Sequence, residues 1–208
     1  MLGGKFLGVG YDAVKDTLHP EVTPKMRMSI RKTGREANIA DVNEALVEDI
    51  REKREALTRR RVLAFIMSQY DPLGTLSPIW IQGKLLLQEV VIASTSKGWD
   101  SPLEQEMTEK WIRFIEFTLR LPPTRLPRSF RPQHAVSAML ITFANASSIT
   151  YGAVAYARWQ CKDPWDQTYV ETRQIMAKAR VAPSKGASVP RLELQAVLQA
   201  TRMTLTIL

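Results

Sequence analysis

Asn145 stands where an apolar run stops. The stretch MLITFANASSITYGAVAYAR, Met139 to Arg158, reads as strand, tight turn, strand. Met139, Ile141 and Phe143 alternate with Leu140, Thr142 and Ala144. Both sets are mostly apolar, which predicts a central strand covered on both faces. A two-metal nuclease carries a metal-binding carboxylate at the end of such a strand, because hard divalent ions want charged oxygen ligands. This chain offers a neutral amide instead. Asn145-Ala-Ser-Ser and Gly152 are turn chemistry. His19 and His134 are far apart, and no Cys/His spacing suggests zinc. Cys161 is the single cysteine, which excludes an internal disulfide framework and fits a reducing compartment.

The bulk composition narrows the partners. The 208 residues are 45% hydrophobic, enough to bury a core in one large or two small domains. The net charge is +8 and the sequence pI about 9.8. That excess suits a polyanion, usually nucleic acid, although a basic protein without such a partner has the same composition. No apolar run approaches the roughly 18 residues of a membrane span, so no membrane partner is expected. The first residues lack a signal-peptide pattern, which predicts an intracellular protein, cytoplasmic or nuclear.

Several elements must position these groups. Lys5 to Asp12 reads as a strand with glycines, and Thr17-Leu-His-Pro with Glu21 onward as a second short strand, within residues 1–24. Residues 25–57 form a charged linker in which Ile39, Val42, Leu46 and Ile50 can make one amphipathic helix. Thr58 caps a helix running to Tyr70, with Val62, Ile66 and Tyr70 on one face, and Asp71-Pro72 stops it. Arg59, Arg60 and Arg61 crowd its first turn, against the helix dipole. Either a phosphate partner or plain solvent compensates them. Ser77 and Pro78 start a buried core helix from Ile79 to Val91. Its Gly83 either weakens the helix or allows close packing. Lys84 either snorkels or meets a partner. Ser101 and Glu104 form a capping box for a helix to about Leu119, with Met107, Trp111, Phe114, Ile115 and Thr118 as its stripe. Trp111 and Phe114 can stack bases, though aromatics at helical spacing ordinarily form core. Residues 122–134 mix prolines and arginines as an extended connector. After the strand pair come a loop containing Asp163 and Asp166, a third strand from Thr168 to Ala179, and a helix from Pro190 to Leu205. Glu193 sits near the start of that helix, where its dipole favours a carboxylate.

The run RRRVLAFIMSQYDPLGTLSP, Arg59 to Pro78, resembles a phrase of BEL/Pao-type retrotransposon polyproteins: Lys-Arg-x-x-Leu-x-x-Ile-x-x-x-x-Asp-Pro-Leu-Gly-x-x-Ser-Pro. It departs only at the opening lysine. Lys84 recurs in the family's Lys-x-Leu-Leu-Gln. Phe143, Ala146, Ser147 and Tyr151 to Tyr156 match the start of that family's ribonuclease H domain, whose phrase has Asp at the position of Asn145. Pro190 to Ala196 resembles its Pro-Arg-Leu-Glu-Leu-x-Ala. The resemblance covers Lys5 to Asp12, Thr58 to Gln88, Trp99 to Arg131 more loosely, and Met139 to Ala200.

The resemblance implies an α+β fold: a helical thumb and connection region over residues 58–121, then a partial ribonuclease H-like mixed sheet with one helix over 135–208. Residues 1–24 would be the end of a polymerase palm. It implies that Arg59, Arg60, Arg61 and Lys84 hold nucleic acid backbone, as a thumb grips a template-primer. The intact family site uses Mg²⁺, with Glu193 as the matched helix carboxylate and Asn145 as a degenerate bridging position. Further family aspartates would lie past Leu208, and Asp163 and Asp166 lie in the far hairpin loop. The expectation is therefore a retrotransposon-derived fragment with no cofactor and no nuclease activity of its own, able to bind an RNA/DNA hybrid or template-primer beside the rest of a polyprotein. No Tyr/Phe-x-Asp-Asp phrase occurs, which excludes nucleotide addition. The family also carries a peptidase label, but Asp16-Thr17 is followed by Leu18 rather than Gly, so proteolysis is not expected. The alternatives are a host-retained protein-interaction scaffold, or one part of an active reverse transcriptase and ribonuclease H polyprotein.

Overall fold

A computed structural model describes residues 5–6, 9–20, 47–52, 56–93, 97–122 and 124–208. Glu21 and most of the charged linker, including Ile39, Val42 and Leu46, lie outside the described residues. Within it, residues 47–51 are helical, and Val47 and Ile50 are buried.

Helix α1 spans Arg59–Met67, and the Thr58 hydroxyl accepts the Arg61 N–H at 3.3 Å, as the cap expected there. The helix stops short of Tyr70. The Ser68 hydroxyl and the Gln69 amide both donate to the Phe65 carbonyl, at 2.8 and 3.1 Å, and so end the ladder early. Val62 and Ile66 are buried, whereas Met67 and Tyr70 are exposed.

Helix α2 spans Ser77–Ala93 and helix α3 spans Gln105–Leu119. Ser77 is already the first residue of α2, and the loop ahead of it is held from further back. The Asp71 carboxylate reaches forward and accepts the N–H groups of Thr75 and Leu76 at 2.9 and 2.8 Å. The predicted capping box of α3 does not form. Pro102 bridges Thr58 and the Leu103 N–H donates to the Leu57 carbonyl at 2.9 Å, so this stretch is drawn out straight. The helix then begins at Gln105 after Glu104, which makes no side-chain cap.

The three helices share one core. Phe65, Trp80, Trp111 and Phe114 pack edge to face, with ring centroids 5.6 to 6.5 Å apart. Such pairs contribute about 0.5–1.5 kcal/mol each beyond burial. Trp111 and Phe114 are therefore core and not open stacking platforms. Gly83 is a close-packing residue: a Cβ there would lie 2.5 Å from Cδ1 of Ile66 and 2.7 Å from the Phe114 ring.

A small antiparallel sheet has the order β1 (Lys5–Phe6), β2 (Val9–Asp12), β3 (Thr17–Pro20) and β4 (Leu126–Pro127). Its last strand comes from the Pro/Arg stretch, which thus does more than connect. Leu126 pairs with Leu18, and the Arg128 guanidinium clasps the Asp16 carboxylate at 2.5 Å.

The second sheet has the order β5 (Ala135–Ala146), β6 (Thr150–Lys162) and β7 (Thr168–Val181), antiparallel throughout. The central strand among the described residues is β6. The run expected at the centre, β5, is an edge strand, and Met139 and Phe143 are more than half exposed. The turn is also tighter than expected. Asn145 and Gly152 face each other inside the ladder, and the reversal falls at Ser147–Thr150, closed by Ser147 N–H to Thr150 C=O at 2.7 Å.

Helix α4 (Val189–Ile207) covers one face. Met203 packs on Ala153 and Ala155, and the hydroxyls of Thr142 and Thr204 meet at 3.0 Å. The start of α2 overhangs the other face beside β7. There the Leu73 carbonyl accepts the Ala177 N–H at 2.8 Å, so the Asp71-Pro-Leu-Gly loop blunts the sheet edge. Gly74 has φ +68°, and a Cβ on it would run into the Ala177 carbonyl. Further along α2, the Gln88 amide donates to the Ala182 carbonyl at 3.0 Å. No described helix is long and apolar enough to cross a membrane.

Candidate functional site

Asn145 lines a groove of about 440 Å³ between the start of α2 and the sheet. Gly74, Ser77 and Pro78 form one wall; Phe143, Tyr156 and Gln174 form the floor. Strand alternation explains the placement. Thr142 faces α4, so Phe143 and Asn145, of opposite parity, face the groove. The Asn145 carboxamide oxygen accepts the N–H of the next residue, Ala146, at 2.8 Å. The Gln174 amide nitrogen, also in this groove, is buried without a partner among the described residues.

Glu193 is exposed on α4, one residue after the buried Leu192. The Gln199 amide bonds the Lys178 carbonyl at 2.6 Å and Thr204 meets Thr142, so α4 runs back over the sheet. The helix that carries Glu193 therefore covers the face that Thr142 presents, opposite in parity to Asn145. No hydrogen bond joins the two among the described residues.

Asp163 and Asp166 hold the hairpin at the opposite end. Asp163 accepts the N–H groups of Trp165 and Gln167 at 2.9 and 2.8 Å, and Asp166 pairs with Lys162 at 2.6 Å. From Gly152 to Lys162 the strand spans roughly 30 Å, at about 3.3 Å per residue. The resemblance implies a Mg²⁺ pair, and this donor set does not fit one. It offers a neutral amide already engaged with its own backbone, and a single carboxylate on the helix that covers the other face. Among the described residues, no cluster of three or more His, Cys, Asp or Glu side chains could hold a metal ion.

The arginine-rich turn separates into distinct roles. Arg59 is buried, with its guanidinium 5.1 Å from the centre of the Trp99 ring. Arg60 grips Asp100 through two bonds of 2.6 and 2.9 Å. That hydrogen-bonded pair holds the Asp100 carboxyl below its ordinary pKa and Arg60 above its own. Arg61 donates to the Ala56 carbonyl at 3.0 Å. Lys84 is exposed on α2, and its charge acts on Asp71. Burial pushes the Asp71 carboxyl above the usual range, against the bonds from the Leu76, Thr75 and Gly74 N–H groups.

Two features escape a reading of the sequence. The groove joins residues about 70 positions apart, and nothing local marks Trp99 as a partner of Arg59. The glycine of Asp71-Pro-Leu-Gly is the one local signal that the loop closes on another backbone.

Residues 58–208 match the family model of the Pao retrotransposon-like RNaseH-like domain, so the match takes in the helices as well as the sheet. No curated protein matches the chain.

Proposed function

The chain belongs to the Pao retrotransposon-like RNaseH-like family, and from that premise we propose that it holds nucleic acid without cutting it. The observation that carries this reading is the state of Asn145: an exposed amide bonded to the next N–H, of opposite parity to Thr142, which meets the helix that carries Glu193. In-line attack on a phosphodiester by two metal ions needs anionic oxygens converging on one point. Among the described residues they do not converge. Binding needs only positive charge and a firm frame, and the chain has a net charge of +8. In this reading the helices of residues 58–121, which resemble a polymerase thumb, grip backbone phosphates, and the target is an RNA/DNA hybrid or template-primer. The rest of a retroelement polyprotein would be its natural neighbour.

The test is a purified chain mixed with an RNA/DNA hybrid in Mg²⁺ or Mn²⁺. The hybrid should remain intact. Its affinity should fall about 100-fold between roughly 50 and 200 mM salt, as for about four neutralised phosphates. Cleavage of the RNA strand that disappears in Glu193→Gln would sink the proposal.

A second reading, as a protein-interaction scaffold, is favoured by the outer face of α4. Leu194, Val197, Leu198 and Leu205 are 41 to 72% exposed there. Hybrid binding that is absent, or indifferent to salt, would favour this reading instead.

A further inference from the structure

Arg59 is 6% exposed, and its Nε–H has no acceptor among the described residues. No hydrogen bond or ion pair reaches its guanidinium there; only the Trp99 ring lies over it, 5.1 Å away. A buried cation without a counter-ion is costly, and chains avoid it unless something supplies the anion. The setting adds to the cost. Arg59 opens the nine-residue helix α1, whose first turn carries no acidic residue and whose dipole is positive at that end. The carboxylate that follows Trp99, Asp100, is taken by Arg60 through both of its oxygens.

Trp99 adds a second kind of chemistry. It is 45% exposed although one face lies on Arg59, so its open surface is largely the other face and the rim. The loop carrying it is pinned in place. The Trp99 carbonyl accepts the Arg60 N–H at 3.2 Å, the Gly98 carbonyl accepts the Ser101 N–H at 3.2 Å, and Lys97 pairs with Glu104 at 2.9 Å. An exposed indole, held by its loop and backed by a guanidinium with no counter-ion among the described residues, is a stacking platform with a phosphate seat beside it.

We propose that Trp99 and Arg59 form a binding site for one nucleotide of a single strand: the open face of Trp99 stacks the base, and Arg59 takes the adjoining phosphate. A paired base cannot offer its face, so the ligand is single-stranded rather than duplex. The proposal rests on the nucleic-acid reading above and adds to it a place for the unpaired strand that runs on from a template-primer.

The test measures binding of the full chain to a short oligothymidylate, to an oligouridylate of equal length and to inorganic polyphosphate. Trp99→Ala should weaken both oligonucleotides about 5- to 100-fold, the range set by loss of one stacked base. It should leave polyphosphate binding unchanged. Trp99→Tyr, which keeps a ring, should recover most of the affinity. Trp165→Ala, at a site 80% exposed in the far hairpin, should bind like the wild type. The inference fails if Trp99→Ala binds oligonucleotides normally, if polyphosphate affinity falls in step, or if Trp165→Ala loses as much. A wild-type chain that binds neither oligonucleotide nor hybrid overturns the broader reading as well; one that binds the hybrid alone overturns only this site.

Discussion

Gly74 and Asp71 carry more of the Asp-Pro-Leu-Gly phrase than any catalytic role would require. Gly74 sits at φ +68° with the Ala177 carbonyl where its Cβ would go. Gly74→Ala should therefore destabilise the chain by at least about 2 kcal/mol, combining left-handed strain with a backbone clash. Urea unfolding of the two proteins would measure it, and an unchanged midpoint would refute the close approach. Asp71 gives a pH signature. Its folded pKa is raised above the ordinary value, chiefly by burial. A raised carboxyl pKa means that protonation favours the fold. Its contribution is fully present below the unfolded value, about 3.9, and is lost as pH rises through the folded pKa. Unfolding free energies measured from pH 7 down to pH 4 should shift in favour of the wild type relative to Asp71→Asn, which cannot ionise. A pH-independent difference would contradict this. The phrase itself was legible in the sequence. Its work was not, because Gly74 meets a strand about 100 positions away.

The elements follow from local chemistry except where distant partners compete for their ends. The Thr58 cap and the buried stripe of α3 come from spacing alone, and the structure keeps both. The box at Ser101 loses to Leu57, which draws Leu103 into an extended pairing. Similarly, α1 ends early because the Ser68 and Gln69 side chains both take the Phe65 carbonyl. Gly83 shows how packing overrides propensity. In an isolated helix Gly83→Ala would gain about 1 kcal/mol. Here the new methyl meets Ile66 and the Phe114 ring, and overpacking costs about 1–3 kcal/mol. The net effect on denaturant stability should be a loss; a gain would show that the helices can spread apart.

The helices and the sheet are joined through a shared edge. Leu73 bonds Ala177, Gln88 bonds Ala182, and the family match spans both parts. The two should therefore melt together. The change in tryptophan emission as Trp80 and Trp111 leave the helical core, and far-ultraviolet circular dichroism, should give coincident unfolding curves. Separate transitions would mean that the contact along β7 is too weak to couple them. The sequence by itself determined the residue types: an amide where a metal-bridging carboxylate would stand, a surplus of positive charge, the apolar stripes and the family. Those are properties of the chain read one short window at a time. Only the tertiary structure decided that Asn145 and the helix carrying Glu193 lie on opposite faces of the sheet, that β5 is an edge among the described strands, and that Arg59 is covered by Trp99 while Arg60 is spent on Asp100. Each of these depends on where a strand's alternation or a loop's closure meets a distant element, and no local pattern encodes that meeting.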